Sequence, residues 1–344
     1  MPVTQKNKLI LTAAGVGAGL AARELFARSR EQNFRGQVVL ITGGSKGLGI
    51  AMARRFAREG CRLAICARNR EELHSAKREL ERMGAQVIAV PCDVSDEAAV
   101  KAMIEEVEGR YGGIDILVNN AGQIQVGPLT AMTVQDFDSA MKVMFWGVVF
   151  PTLAVLPSFL KRGSGRIVNI TSFGGKVSVP HMVPYTCAKF AATGFSEGLR
   201  AELKNDNIHV TTIAPGMLRT GSFVNALFKG NQEAEGRWFS LGASMPGLTI
   251  TADKAAKQIV TATKRGESER VLTSGAQLLS GFHGLFPGAT ANLLGMVAGA
   301  LLPSATGKTE AKPGGKLKNL KTPLMRALLT LGRTAAQKYR QSHA

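Results

Sequence analysis

The sequence predicts an α/β protein built on a doubly wound parallel sheet. Short apolar runs rich in β-branched residues alternate with segments of helical composition from Val38 to Val210. A glycine-rich turn, Thr42–Gly49, joins the first of these runs to a helical segment. Because such an alternation places parallel strands in one sheet with helices on both faces, we expect one domain of this type. The 344 residues are enough for a large core and leave extra segments at both ends.

The glycine-rich turn follows the strand predicted at Val38–Ile41 and precedes the helix predicted at Ile50–Arg58. A glycine turn between a strand and a helix is the setting that dinucleotide binding requires. Gly43 permits the tight turn, Gly47 lets the backbone approach a pyrophosphate, and Gly49 lets the helix pack on the strand. The free N–H groups of the helix N-terminus then face the anion. The turn therefore predicts a Rossmann-type sheet with a bound dinucleotide.

The residues after the second predicted strand, Leu63–Cys66, bear on which nicotinamide cofactor is used. An NAD enzyme places a carboxylate there for the ribose 2′-hydroxyl, but this chain has Ala67 and Arg68. Lys46 and Arg68 can both reach toward a 2′-phosphate, and a guanidinium matches phosphate by its bidentate geometry. The sequence thus favours NADP(H) over NAD(H). The alternative is that both cations are ordinary solvated surface charges.

An acid/base pair is predicted from Tyr185 and Lys189. Residues i and i+4 share one face of a helix, so the phenol and the ammonium can point into one cleft. A nearby cation favours the phenolate and lowers the pKa of a tyrosine from its ordinary value of about 10. Ser172 lies thirteen positions upstream, after the strand predicted at Arg166–Ile170, where ligands collect in open α/β sheets.

Four motifs therefore follow one another: the glycine turn, Asn119–Gly122, the Ser172, Tyr185 and Lys189 set, and Pro215–Gly216. In this order and spacing the chain resembles the short-chain dehydrogenase/reductase family, from about Gly36 to Thr273. The resemblance implies that the serine polarises a substrate oxygen, the tyrosine transfers a proton, and the lysine lowers the tyrosine pKa while binding the nicotinamide ribose. It implies the following cofactor-binding residues: Gly43, Ser45, Lys46, Gly47, Leu48, Gly49, Arg68, Asp93, Val94, Asn119, Ala121, Gly122, Tyr185, Lys189, Pro215, Gly216 and Thr220.

The chain departs from the family's pattern at Met144. The family commonly has an asparagine at this position, where it helps to hold a water between the lysine and bulk solvent. A thioether cannot replace an amide as a hydrogen-bond donor, although the backbone carbonyl is retained. We expect a weakened or rebuilt proton relay in an active enzyme. The alternative is a dinucleotide-binding pseudoenzyme or scaffold at the membrane.

The expected substrate is hydrophobic and lipid-like, with a carbonyl or alcohol group. The segment Gly221–Leu248 is loop-prone and mixes apolar and polar residues, as a mobile lid over an apolar ligand would. Its large apolar side chains are Phe223, Leu227, Phe228, Trp238 and Phe239.

The two ends of the chain predict attachment to a membrane. Residues 1–35 contain fourteen uncharged residues, Leu9–Ala22, which are fewer than the roughly 20 that a spanning helix needs. We expect a retained anchor on the cytoplasmic face, where NADPH is available; the alternative is a helix packed on the protein itself. Residues 36–273 form the catalytic domain, and residues 274–303 form an apolar, glycine-rich segment that could contact the membrane.

Residues 304–344 form a basic tail with nine Lys or Arg and one Glu, a large share of the net charge of +18. Basic residues beside apolar segments favour an anionic membrane surface over nucleic acid as partner. Pro323–Arg340 has leucines near helical spacing and could form an amphipathic surface helix; the alternative is a solvated tail. The family resemblance implies a homodimer or homotetramer formed through the helices near Met144 and at Ala188–Leu203.

The sequence gives no support for a metal site or a disulfide framework. His181 and His283 have no partners at ligand spacing. The four cysteines show no Cys-x-x-Cys spacing and are expected to be reduced: Cys61, Cys66, Cys92 and Cys187.

Overall fold

A computed structural model describes residues 31–341 of the chain. The apolar head predicted at Leu9–Ala22 lies outside the described residues. The strands in chain order are β1 (Val38–Thr42), β2 (Arg62–Ala67), β3 (Val87–Pro91), β4 (Ile116–Asn119), β5 (Gln125–Val126), β6 (Gly165–Ile170), β7 (Ile208–Ala214), β8 (Leu218–Arg219), β9 (Leu227–Phe228), β10 (Ile250–Thr251), β11 (Glu269–Val271) and β12 (Lys312–Pro313).

The helices, in the same order, are α1 (Gly47–Arg58), α2 (Arg70–Arg82), α3 (Glu97–Tyr111), α4 (Val134–Met141), α5 (Gly147–Arg162), α6 (Val183–Glu202), α7 (Gln232–Gly242), α8 (Ala252–Arg265), α9 (Ser274–Leu285), α10 (Pro287–Leu301), α11 (Pro323–Leu328) and α12 (Thr330–Lys338).

Seven parallel strands form the central sheet, in the order β11-β7-β6-β4-β1-β2-β3. Alternate residues of β1 point to opposite faces, so Val39 and Ile41 join the core under α1 and α8, whereas Val38 and Leu40 join the core under α3 and α5. Both faces of every central strand are covered, which explains the continuous apolar runs in the sequence. The predicted doubly wound, Rossmann-type sheet in a single domain is confirmed.

Helices α4 and α5 are joined by a π-helical turn, Lys142–Trp146. Within residues 31–341, the combined helix Val134–Arg162 is the one that is long and apolar enough to cross a membrane by length and composition. Its residues Val155 and Phe159 are fully buried against the sheet. The buried face of this helix therefore belongs to the core of the domain.

The tail from 304 to 341 is folded onto the catalytic domain, so the alternative of a solvated tail is wrong. β12 pairs antiparallel with β9, and the single helix predicted at Pro323–Arg340 is divided into α11 and α12. One face of this region is buried in the domain, because four of its side chains fill the same apolar cluster as Phe223 and Phe228. These side chains are Leu317, Leu320, Met325 and Leu329.

The segment Gly221–Leu248 is more ordered than the sequence predicts, because it contains the helix α7. The side chain of Asn231 accepts a hydrogen bond from Ala234 N–H and caps this helix. Phe223, Phe228 and Phe239 are buried against the tail. A loop prediction fails here because the apolar partners of the helix lie some ninety residues away in the sequence.

Helices α9 and α10 form an uncharged hairpin whose large apolar side chains are mostly exposed. Ala276 and Thr290 are its buried residues. Large apolar side chains exposed by 42% or more are Leu278, Phe282, Leu285, Phe286, Leu293, Met296, Val297 and Leu301.

Candidate active site

The sequence-predicted residues lie at the carboxyl edge of the sheet. The register pairs Asn119 with Asn169, and Ile170 with Ile213, so the chain leaves β4, β6 and β7 at one level. β1 lies between β4 and β2, and the connections from β1 and β4 run to opposite sides of the sheet. A crevice at this switch point is where open α/β sheets bind ligands.

The glycine turn fits a dinucleotide phosphate because it leaves no room for side chains. A Cβ at Gly49 would lie 2.0 Å from the carbonyl oxygen of Gly43, and a Cβ at Gly43 would lie 3.0 Å from the Cα of Ala121. Gly43 and Gly47 have positive φ angles, 63° and 61°, which favour glycine. Helix α1 begins at Gly47 without a side-chain cap. The Gly47 N–H donates to the carbonyl oxygen of Tyr339, so the N–H groups that follow it in the first turn are the ones that can face an anion.

Thr42 and Asn120 fix the two loops of this crevice relative to each other, although neither was among the predicted site residues. Thr42 Oγ1 accepts hydrogen bonds from the N–H groups of Asn120 and Ala121, at 2.9 and 3.1 Å. The Asn120 side chain donates to the carbonyl oxygens of Thr42 and Gly43, at 2.9 and 3.2 Å. The Thr-Gly and Asn-Asn sequences were visible in the chain, but their pairing requires the parallel register.

The two cations predicted to meet a 2′-phosphate both lie beside carboxylates. Lys46 Nζ is 3.1 Å from Glu72, and an Arg68 nitrogen is 3.9 Å from Asp93. Burial acts to raise the pKa of Asp93, but hydrogen bonds from Ser95 outweigh this effect and hold it below its ordinary value. Val94 packs directly on the backbone of helix α5, where a Cβ at Gly147 would lie 2.8 Å from its side chain.

Ser172, Tyr185 and Lys189 converge at the ends of β6 and α6. Ser172 Oγ accepts a hydrogen bond from Gly174 N–H at 2.9 Å, and it also hydrogen-bonds with the Tyr185 side chain. A Cβ at Gly174 would lie 3.4 Å from both Ser172 Oγ and a ring carbon of Tyr185. Gly175 packs against α6, since a Cβ at Gly175 would lie 2.6 Å from the carbonyl oxygen of Lys189. The two glycines therefore allow the serine loop to approach the tyrosine helix.

The pKa values of Tyr185 and Lys189 differ from the sequence-based expectation. Burial raises the pKa of Tyr185 above its ordinary value, and the hydrogen bond with Ser172 opposes this without reversing it. Burial lowers the pKa of Lys189 to about 8. Lys189 Nζ donates to the carbonyl oxygen of Ile170 at 2.8 Å. The prediction that Lys189 lowers the pKa of Tyr185 is therefore wrong, because burial has the larger effect on the phenol.

A buried polar network supports the strands beneath the site. The Asn119 side chain donates to Asn169 at 2.9 Å and to Thr152 at 3.0 Å. Asn169 donates to Ser196 at 3.0 Å, and Ser196 lies 2.7 Å from the Thr212 hydroxyl. These hydrogen bonds connect β4, β6 and α6 and fix their spacing. The Asn119 side chain therefore lies below the crevice, where its hydrogen bonds support the fold.

Met144 lies in the π-helical turn and is buried. It packs in a small cluster with Ala140 and Ala188, against which Tyr185 also packs. A Cβ at Gly122 would lie 3.7 Å from the Met144 side chain. Met144 therefore forms an apolar wall between the glycine of the Asn119–Gly122 loop and the tyrosine helix.

The segment after β7 closes the site on the side of Ser172. Phe173 N–H donates to the carbonyl oxygen of Pro215 at 2.7 Å. A Cβ at Gly216 would lie 2.2 Å from Thr273 Oγ1, so this glycine allows the chain to pass against the start of α9. Thr220 is buried and accepts a hydrogen bond from Ser222 N–H at 3.2 Å.

A buried carboxylate links the Ser172–Tyr185 loop to helix α7. Glu235 is fully buried and contacts His181 Nδ1 at 2.8 Å and Trp238 Nε1 at 2.6 Å. Burial raises the pKa of Glu235, although both hydrogen bonds oppose the change. His181 thus has a carboxylate partner that its local sequence does not reveal. Residues 31–341 contain no group of three or more His, Cys, Asp or Glu that could hold a metal ion.

The cysteines of the described region are all free, as the sequence predicts. Cys61, Cys66 and Cys92 are buried, and Cys187 is exposed. Cys187 therefore lies on the outer face of α6.

Comparisons with known proteins agree with this geometry. A putative ketoacyl reductase of Streptomyces coelicolor is 37% identical over 186 residues, which are 54% of this chain and 71% of that protein. A "Dehydrogenase/reductase SDR family protein 7-like" of Anopheles gambiae is 40% identical over 218 residues, which are 61% of this chain and 68% of that protein. A solved structure of actinorhodin polyketide ketoreductase with NADPH has a TM-score of 0.63 and 29% identity, covering 70% of this chain and 97% of that one.

Residues 37–229 match the sequence model of the short chain dehydrogenase family. This match spans more than half of the chain and contains the glycine turn, the Asn119–Gly122 loop and all three converging side chains. The chain belongs to the short-chain dehydrogenase/reductase family of oxidoreductases.

Proposed function

We propose that the protein is an NADP(H)-dependent oxidoreductase that transfers hydride between the nicotinamide and a carbonyl or alcohol of a hydrophobic, lipid-like substrate. The observation that carries this proposal is the convergence of Ser172, Tyr185 and Lys189 beside a side-chain-free glycine turn. The site residues predicted from the sequence supply a proton donor, an oxygen-binding hydroxyl and a cation at one edge of the sheet.

The protein's own groups favour proton donation at neutral pH. Because burial raises the pKa of Tyr185, its phenol is protonated and can donate to a carbonyl oxygen. Ser172 is positioned by the Gly174 N–H and would hydrogen-bond the same oxygen. When bound, the reduced nicotinamide supplies the hydride. Lys189, protonated below about pH 8, would stabilise the phenolate that remains after the proton has left.

The preference for NADP(H) rests on Lys46 and Arg68. Arg68 is 66% exposed and its contact with Asp93 is long, so its guanidinium is available to a 2′-phosphate. Glu72 holds Lys46 at the mouth of the glycine turn. The similar ketoreductase structure contains NADPH, which supports the same choice.

The test is consumption of cofactor by purified protein with a panel of long-chain acyl, sphingoid, steroid and retinoid carbonyls. We expect NADPH to be consumed with at least one lipid carbonyl, faster than NADH and faster than with a short polar ketone. Absence of consumption across the panel, or equal consumption by the Tyr185→Phe variant, contradicts the proposal.

The second candidate function, a dinucleotide-binding pseudoenzyme, is favoured by one observation. Met144 presents a buried thioether beside Tyr185, where the family commonly has an amide.

We expect Met144→Asn to increase the turnover number several-fold, because an amide can restore hydrogen bonding to the relay. Single-turnover and steady-state NADPH oxidation measure the effect, with Met144→Leu as the matched control of similar volume. Inactivity of wild type and of Met144→Asn, with NADPH binding retained, favours the scaffold function.

We also propose that the protein is attached to the cytoplasmic face of a membrane, with an anionic surface as partner. The hairpin α9–α10 supports this, since residues 271–307 contain no Asp, Glu, Lys or Arg. Its helices of 12 and 15 residues would be about 18 and 22 Å long, too short for a hydrocarbon core of about 30 Å. The hairpin therefore fits entry into one leaflet. Leu324, Leu328 and Leu331 on α11 and α12 are exposed as well and would offer a further apolar contact.

We expect Leu278→Asp and Leu285→Asp each to reduce vesicle binding by about tenfold or more, because a charge in the hydrocarbon region is costly. Cosedimentation with phosphatidylcholine vesicles, with and without phosphatidylglycerol, measures the effect. The matched control is Met83→Asp, which changes an exposed apolar residue at the amino edge of the sheet. Equal binding by the hairpin variants and the control contradicts the proposal.

We also propose that the protein forms a homodimer or homotetramer through the outer faces of α5 and α6. Large apolar side chains are exposed there, at Trp146, Leu153, Leu160 and Phe190. Light scattering of the purified protein tests this assignment.

A further inference from the structure

The last described residues of the chain lie on the glycine turn. The N–H of Gly47 donates a hydrogen bond to the carbonyl oxygen of Tyr339 at 2.8 Å. A Cβ at Gly47 would lie 2.5 Å from Gln341 Nε2. We call residues Lys338–Gln341 the C-terminal clasp.

The clasp is fixed on both of its sides. The Tyr339 ring is buried in the main core and its hydroxyl accepts from Asp253 N–H at 3.2 Å. Arg54 of α1 donates to the carbonyl oxygen of Lys338 at 2.9 Å, and Arg340 lies 3.3 Å from Glu79 of α2. These contacts join the clasp to α1, α2 and α8.

The other side of the clasp holds the segment after β8. The Asn225 side chain donates to both the carbonyl oxygen and the side-chain oxygen of Gln341, at 2.8 and 2.6 Å. Gly221 packs directly on α12, since a Cβ there would lie 2.3 Å from the Cα of Ala336. Gly221 follows Thr220, one of the cofactor-binding residues that the family resemblance implies. The clasp therefore connects the glycine turn with the segment that carries Thr220.

We propose that the C-terminal clasp forms one wall of the dinucleotide site, with Gln341 as a positioning residue for the glycine turn. This inference rests on the proposed function, because it concerns the site assigned to NADP(H). Gly47 has a positive φ and no side chain of its own to fix it, so Tyr339 and Gln341 supply contacts that hold the turn in its binding conformation. The affinity for the dinucleotide then depends on residues nearly three hundred positions away in the sequence.

Gln341→Glu separates this role from a purely structural one. The variant keeps the acceptor for Asn225 and the size of the side chain, and it places a carboxylate at the N-terminus of α1. A negative charge there interacts favourably with the helix and leaves the melting temperature unchanged or higher. The same charge repels a pyrophosphate, so we expect the Kd for NADPH to increase by about tenfold, with a smaller increase at high salt.

The measurement is NADPH fluorescence titration of the full chain, with thermal unfolding and steady-state kinetics in parallel. We expect Gln341→Ala to weaken NADPH binding several-fold and to raise the KM for NADPH while kcat changes less than twofold. Asn225→Ala should act through the same contact. The double variant should therefore have a Kd for NADPH no higher than that of the single variant with the higher Kd. Lys101→Gln is the control, because it removes an exposed ion pair with Glu97 on α3, outside the clasp.

The outcomes are distinguishable from failure of the proposed function. Wild-type protein that binds neither NADPH nor NADH overturns the proposed function itself. If wild type binds NADPH and both Gln341→Ala and Gln341→Glu bind it with unchanged affinity, the clasp inference alone is overturned. Tighter binding by Gln341→Ala also overturns it, because the segment would then compete with the dinucleotide for Gly47.

Discussion

Replacing Tyr185 by phenylalanine is expected to lower kcat/KM for the carbonyl substrate by about three orders of magnitude, the middle of the range for a lost general acid. The change removes the phenol that is protonated at neutral pH and hydrogen-bonded to Ser172. The ring remains, so its packing on the Met144 cluster and on the apolar cluster below the tail is retained. NADPH binding and the melting temperature should therefore change little.

NADPH oxidation in the presence of saturating carbonyl substrate measures the effect of Tyr185→Phe. Cys187→Ser is the matched control, because Cys187 lies two residues along the same helix and is exposed. The control should keep wild-type turnover. Retention of more than about a tenth of wild-type turnover by Tyr185→Phe contradicts the assignment of the proton donor, since loss of general acid catalysis costs at least 10²-fold.

The sheet could be predicted because its strands carry local signals. β1 and β4 are apolar, β-branched runs that end at the Thr-Gly and Asn-Asn sequences, and both patterns are visible within a few residues of sequence. Parallel strands buried on both faces require such runs. The convergence of Ser172, Tyr185 and Lys189 was also predictable, since a fixed helical spacing and a strand end determine it.

The tail could not be predicted because its contacts are long-range. Leu317 and Leu329 fill a cluster with Phe223, and Tyr339 meets Gly47 across most of the chain length. A basic composition suggests a solvated segment, but Lys338 and Arg340 are neutralised by Asp253 and Glu79. In the same way, the local sequence of His181 gave no sign of Glu235, its buried partner.

Lys189→Met is expected to lower turnover by about as much as Tyr185→Phe and, in the free protein, to change the pH dependence of stability. Lys189 is buried, and its pKa of about 8 lies below the ordinary value of 10.5. Below about pH 8 the lysine is charged in both states, and burial of that charge destabilises the fold. Between pH 8 and 10.5 the folded state has lost the proton that the unfolded state still binds, so wild-type stability increases with pH. The increase in the free energy of unfolding caused by Lys189→Met is therefore largest below pH 8 and declines above it.

The free energy of unfolding in urea, measured from pH 6.5 to 9.5, checks this expectation. The burial cost removed by methionine is on the order of 3 kcal/mol at most, and loss of the hydrogen bond to Ile170 offsets part of it. Lys176→Met is the matched control with the opposite sign. Burial acts against the charge of Lys176, but hydrogen bonds to Glu197 and Glu269 outweigh it and raise its pKa, so methionine there should destabilise the protein at neutral pH. A stability difference between Lys189→Met and wild type that does not change with pH would show that Lys189 has an ordinary pKa, and the electrostatic description of the site would be wrong.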